Sequence, residues 1–264
     1  MRPIAKDYAA IAASKIQRPS KSTRPPRILI YGRNKKGKTT FGASAGQGEV
    51  LILDPEEGTE GMVKRDPHVW PINAWPEIDD AYNFLKTGKH PYKWVSVDGL
   101  TKFANMSLRY VMSQEEERDL TRKPGMVQKQ DYGKSGELMK GMLNNFHALR
   151  MGVIFTAQER TIEVTDDPEG DDEDAETSDF IYVPDLPRGV RSSVNQIVDV
   201  IGRIYTVKVE HPKNPEVKVL QRRLWVEPHI AFDTGYRSDF RLPPFIKSPT
   251  IPKLVTLLRE GKAT

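Results

Sequence analysis

Apolar residues in this chain gather into short, nearly unbroken runs that each give way to a polar residue or a glycine. Ile28–Tyr31, Val50–Leu53, Trp94–Val97 and Val153–Ala157 are the clearest, and each reads as a strand buried in a sheet. A third short strand, between the second and the next of these, is expected at His68 to Ile72. Between the runs the period changes. Ile78, Ala81, Tyr82 and Leu85 recur at helical spacing, and Leu100–Met112 and Tyr132–Leu149 predict two further helices. Strands that alternate with helices predict an α/β fold with a mostly parallel sheet covered on both faces. Towards the C-terminus a helix is expected at Arg188–Val198. Asp199–Glu210 and Val217–Glu227 then alternate like two antiparallel strands joined through His211–Pro215. A last helix is expected at Pro252–Glu260, and the polar segment Ser113–Lys129 reads as a mobile loop. This divides the chain into a basic arm and linker (1–26), a core (27–247) with an acidic insertion (163–179), and a C-terminal helix or tail (248–264).

The first strand leads into the most informative stretch, Gly32-Arg33-Asn34-Lys35-Lys36-Gly37-Lys38-Thr39-Thr40. The pattern Gly-x-x-x-x-Gly-Lys-Thr, placed after a strand and before a helix-compatible segment, is that of a phosphate-binding loop. Gly32 and Gly37 permit backbone angles that side chains forbid, so successive N–H groups can face phosphate oxygens. Lys38 is expected to reach the β- and γ-phosphates and the Thr39 hydroxyl to sit on Mg²⁺. In a chain of this length the pattern arises by chance on the order of once in a hundred. The sequence therefore predicts a nucleoside triphosphate site.

Composition narrows the remaining choices. The 264 residues include no cysteine, which excludes disulfides, thiolate metal sites and a cysteine nucleophile, and fits a reducing cytoplasm. No apolar run approaches the roughly 20 residues of a membrane span, and the N-terminus lacks the apolar core of a signal peptide, so a cytoplasmic protein without a membrane partner is expected. The net charge of +4 is unevenly spread. Residues 1–38 carry eleven Lys or Arg against Asp7 alone, whereas Glu163–Asp179 holds ten carboxylates and no Lys or Arg. That asymmetry suits a polyanionic partner for the basic half and a solvated or regulatory loop for the acidic one.

A phosphate loop binds; hydrolysis needs an acid that supports Mg²⁺ and a group that orients water. Asp98 ends the Trp94–Val97 strand, at the edge that faces ligand in an open parallel sheet. It is read as the Mg²⁺-supporting acid, with a helix N-cap as the alternative. Glu56 and Glu57 follow the second strand, and either can align the attacking water. Gln158, at the end of the Val153–Ala157 strand, both donates and accepts hydrogen bonds and is placed to sense a γ-phosphate.

The order of these motifs, from the phosphate loop through Leu53-Asp54-Pro55-Glu56, Val95-Ser96-Val97-Asp98 and Phe155-Thr156-Ala157-Gln158 to a C-terminal hairpin and a late arginine, resembles the RecA-like P-loop ATPase core. It looks most like the small AAA-type ATPases of bacteriophages, some of which act as RecA-like single-strand annealing or recombination proteins. The resemblance spans about residues 27–243. It implies ATP and Mg²⁺ as cofactors, Glu56 rather than Glu57 as the water activator, and Gln158 as a relay from nucleotide to DNA. It further implies self-association through the nucleotide interface, with Arg237 (or Arg241) reaching a neighbour's nucleotide. The implied role is ATP hydrolysis coupled to single-stranded DNA in recombination or replication. The alternative is an ATP switch or loader acting on a replication partner protein. The chain departs from the family in the loop after Gln158, where carboxylates would repel a phosphate backbone. An alternative DNA surface is expected from Lys102, Arg109, Arg118, Arg122, Lys123, Lys129 and Lys134, with Tyr132 for stacking.

Overall fold

The computed structural model describes residues 7–16, 18, 23–163, 180–211 and 214–261. Its centre is the sheet that the apolar runs predict. The parallel strands are β1 (Arg27–Tyr31), β2 (Val50–Asp54), β3 (His68–Pro71), β4 (Trp94–Val97), β5 (Gly152–Ala157) and β8 (Val200–His211). Antiparallel to these run β9 (Asn214–Trp225) and the short strand β10 (Gly235–Tyr236), which both pair with β8; the short strand β11 (Phe245–Lys247) pairs antiparallel with β9 in turn. The path across the sheet is β11–β9–β8–β1–β5–β4–β2–β3, with β10 beside β8. A separate hairpin joins β6 (Glu159–Glu163) to β7 (Phe180–Pro184).

Unbroken apolar runs are what a sheet covered on both faces demands. Alternate residues of each central strand feed opposite cores. Leu29, Tyr31, Leu51, Leu53, Val95, Val97, Val153 and Phe155 face one side. There they meet α3 (Glu77–Lys86), α4 (Leu100–Arg118), α5 (Lys129–Ala148) and α6 (Arg188–Ile197). Ile28, Ile30, Val50, Ile52 and Ile154 face the other, against Phe41 of α2 (Lys38–Gly42) and against α7 (Ile251–Glu260). Helix α7 inserts Ile251, Leu254 and Leu257 into that core; Thr250 caps it, and the Ile251 amide donates to Ser44 Oγ. By contrast α1 (Tyr8–Lys15) buries no residue.

Two expectations need correction. Helix α4 runs on to Arg118, so the first third of the predicted Ser113–Lys129 loop is helical. Glu115 anchors this end by pairing with Arg118 on its own helix and with Lys134 on α5. Helix α5 starts before Tyr132, because Gln128 and Asp131 form a reciprocal capping box. Second, Arg122 does not belong to an exposed basic surface. It is buried in a two-pronged ion pair with Asp131, and the Gln128 amide donates to the same carboxylate. The acidic insertion begins at the β6–β7 hairpin, but its residues 164–179 lie outside the described residues.

Candidate nucleotide site

The parallel registers bring the ends of β1, β5, β4 and β2 to one rim of the sheet: Tyr31 pairs Ala157, Phe155 pairs Val97, and Val97 pairs Leu53. Everything that follows these residues in sequence therefore meets at that rim, where ligands bind in open α/β sheets. A cleft of about 570 Å³ opens there. Asn34, Lys35, Gly37, Lys38, Thr39 and Thr40 line it from the loop; Asp54, Glu56, Asp98, Thr156, Gln158 and Arg222 line it from the strands.

The loop itself shows why its glycines are needed. Gly37 has φ +94°, a conformation in which a side chain is strained, and Lys35 also adopts a left-handed φ of 60°. At Gly32 a Cβ would fall 2.3 Å from the Ile204 carbonyl oxygen on β8, so the loop can approach that strand only without a side chain.

Lys38 is buried, and its ammonium donates to Gly32 O (2.8 Å), Arg33 O (3.1 Å) and Gln158 Oε1 (2.9 Å). Burial lowers its pKa, with Asp98 and Glu56 opposing the shift. The Thr39 hydroxyl donates to Asp98 Oδ2 at 2.6 Å, and Thr156 donates to Asp98 Oδ1 at 2.6 Å. Asp98 does not cap α4: the cap residue is Gly99, at φ 100°, with no side-chain bond. Burial raises the Asp98 pKa, against the lowering effect of the two hydroxyls. A buried carboxylate whose charge is under-compensated, beside a hydroxyl, is a hard-oxygen pair of the kind Mg²⁺ takes. That ion uses one or two carboxylates and fills its other positions with water and phosphate oxygens. The residues present fit it.

Glu56 lines the cleft, whereas Glu57, at φ 56°, does not. Asp54 sets this difference: its carboxylate accepts from the Glu56 amide (2.9 Å), the Thr59 amide (3.0 Å) and the Thr59 hydroxyl (2.7 Å), folding the turn back on itself. Gln158 is held by a bond from its amide to Thr101 Oγ1 at 3.0 Å. The next residue, Glu159, takes Arg203 through both oxygens, at 2.6 and 3.2 Å. The Arg203 guanidinium lies 4.5 Å from the centres of the Tyr182 and Phe232 rings.

Arg33 is exposed, and Lys36 turns to Thr206 Oγ1 at 3.1 Å, so neither lines the cleft. Arg237 also lies away from it; it donates to Gln196 O at 2.8 Å and borders a second cleft with Arg188, Arg191 and Asp233. Arg241 pairs with Glu227 at 3.6 Å. Sequence reasoning assigned no role to Asp54, Thr156, Thr101 or Arg222. For Thr156 a signal existed, since it is the one hydroxyl in an otherwise apolar buried strand. For Arg222 there was none, because its position depends on how β9 registers with β8.

No curated protein matches the chain. Among solved structures the chain is similar to a KaiC-like protein from the hyperthermophilic archaea Pyrococcus horikoshii OT3. The two are 13% identical with a TM-score of 0.42, and the match covers 86% of this chain and 90% of that one. The family described as AAA domain matches residues 24–238, from just before β1 to just after β10. That stretch is well over half of the sequence and holds every side chain that lines the cleft, and the chain belongs to the AAA domain family.

Proposed function

We propose that this protein is a Mg²⁺-dependent ATPase that acts on single-stranded DNA. The observation that carries the reading is the meeting of Lys38, Thr39, Asp98, Glu56 and Gln158 in one cleft, although four separate strands supply them. Bound Mg²⁺ would be held by Thr39 and Asp98 and would offset charge on the phosphates. Lys38 binds the β- and γ-phosphates, Glu56 accepts a proton from the attacking water, and the loop amides hold the triphosphate in line. A γ-phosphate that takes a donor from Lys38 competes with Gln158 Oε1. Releasing that oxygen changes what holds the start of β6, so Gln158 couples phosphate occupancy to the β6–β7 hairpin.

Support for DNA comes from the neighbouring surface. Lys102 and Arg109 of α4 border a cleft of about 370 Å³ with Trp75 and Tyr110, and Lys123, Lys129 and Tyr132 are exposed. Basic residues interleaved with aromatic ones suit a strand whose bases stack. Lys102 also lies next to Gly99, which neighbours Glu56, so DNA there would sit one residue's width from the water activator. Arg237, exposed and outside the nucleotide cleft of its own subunit, is the arginine offered to a neighbouring subunit. The test is ATP turnover with and without single-stranded DNA at two salt concentrations. Stimulation that fades at the higher salt is expected. Turnover indifferent to DNA, without salt-sensitive DNA retention, would replace DNA with a protein partner.

A further inference from the structure

We propose that Arg222 is a second phosphate-binding cation of this site, one that holds the α-phosphate end of a bound nucleoside di- or triphosphate in the same subunit. The inference rests on the nucleotide-binding reading and extends it to a residue far from the loop in sequence. On β9, Arg222 pairs in register with Thr206 of β8. Together the two residues grip Lys36: Arg222 Nε donates to the Lys36 carbonyl at 3.0 Å, and Thr206 Oγ1 accepts from Lys36 Nζ at 3.1 Å. The guanidinium lies against Gly37. A Cβ at that glycine would come within 2.3 Å of Arg222 Nε and 2.6 Å of Nη2, so a side chain there would push the guanidinium aside, besides being strained at φ +94°.

Only Nε is engaged. Among the described residues no carboxylate pairs with Arg222, and its two terminal nitrogens make no hydrogen bond. Arg222 borders the cleft beside the loop residues. A planar guanidinium with free terminal N–H groups is built to receive two phosphate oxygens at once.

The order of strands says which end of the nucleotide it meets. Lys38 reaches Gln158 at the end of β5 and Thr39 reaches Asp98 at the end of β4, so the γ-phosphate and its metal lie on the β5–β4–β2 side of the loop. Arg222 comes from β9, on the opposite flank of β1. A triphosphate laid across the loop with its γ end towards Asp98 turns its α-phosphate towards Arg222. The contact is thus shared by ADP and ATP, and it raises affinity for both alike.

The test separates contact from bracing. The glutamine in Arg222→Gln places its amide nitrogen at the same point along the side chain as Nε, so it keeps the bond to Lys36 but loses the fork and its charge. Arg222→Lys keeps a charge and loses the bond in its present form. Binding of ADP and of Mg²⁺–ATP to the full-length chain is measured by calorimetry. Arg222→Gln is expected to weaken both about 10- to 100-fold, while Arg222→Lys recovers most of the loss. Wild-type affinity in Arg222→Gln together with loss in Arg222→Lys would show a brace only and overturn the proposal. Loss for ATP alone would overturn the assignment to the α end. Failure of the wild-type protein to bind either nucleotide would instead sink the nucleotide-binding reading itself.

Discussion

The clasp between α4 and α5 and the rim of the sheet each bury a cation close to an anion, and they treat the charges in opposite ways. In the clasp between α4 and α5, Arg122 and Asp131 satisfy each other directly. The hydrogen bond from Arg122 holds the Asp131 carboxyl below its ordinary range, and the same bond raises the arginine. At the rim, Lys38 and Asp98 are not ion-paired; one leans on carbonyl oxygens and the other on hydroxyls. Burial works against both charges there, lowering the lysine and raising the aspartate. The clasp uses up its charges and fixes structure. The rim leaves its charges under-compensated, which suits a site that is to receive an anion and a cation.

That contrast can be broken in three places. Changing Glu56 to Gln, the largest expected effect, lowers turnover on the order of 10²- to 10⁴-fold while nucleotide binding and melting temperature stay as they were; single-turnover hydrolysis beside calorimetry measures it. If Glu57→Gln does this instead, the turn at Asp54 has been misread. In the clasp, Asp131→Asn leaves the Arg122 charge buried and unmatched, and the melting temperature is expected to fall by on the order of 10 °C with nucleotide affinity intact. The sign with pH follows from the lowered Asp131 pKa. Its stabilising contribution is present above the unfolded value of 3.8 and is lost as pH falls through the still lower folded value. The gap between wild type and Asp131→Asn should therefore close in an acid titration followed by circular dichroism. The smallest effect is expected for Thr156→Val, which removes one of the two hydroxyls on Asp98 and should weaken the Mg²⁺ dependence of ATP binding about 10-fold without unfolding the sheet.

Most of the sheet was legible because a strand buried on both faces is largely apolar, as Ile28–Tyr31, Val50–Leu53 and, but for Thr156, Val153–Ala157 are. The loop was legible because its pattern is local in sequence; in the structure Gly37 takes a positive φ and Gly32 makes a close approach to Ile204. What escaped depends on which partners the fold brings together. Arg122 looked like one basic residue among many until Asp131, folded over it by the capping box, turned it inward. The run Glu115-Glu116-Glu117 continues α4, where Lys134 and Arg118 meet its first residue. Arg222 is one of two adjacent arginines on an alternating strand; only the β8–β9 register puts it on the phosphate loop rather than in solvent.

Calorimetric titration of Mg²⁺–ATP into wild type and into Lys38→Ala, with each protein's melting temperature recorded in nucleotide-free buffer, tests the account most directly. Saturable, Mg²⁺-dependent binding is expected for the wild type, with roughly 100-fold or greater loss in Lys38→Ala and a melting temperature equal to or above that of the wild type. Equal affinity in the two proteins, or a variant that binds poorly only because it has unfolded, would contradict the claim that the rim lysine is held for a phosphate rather than for the fold.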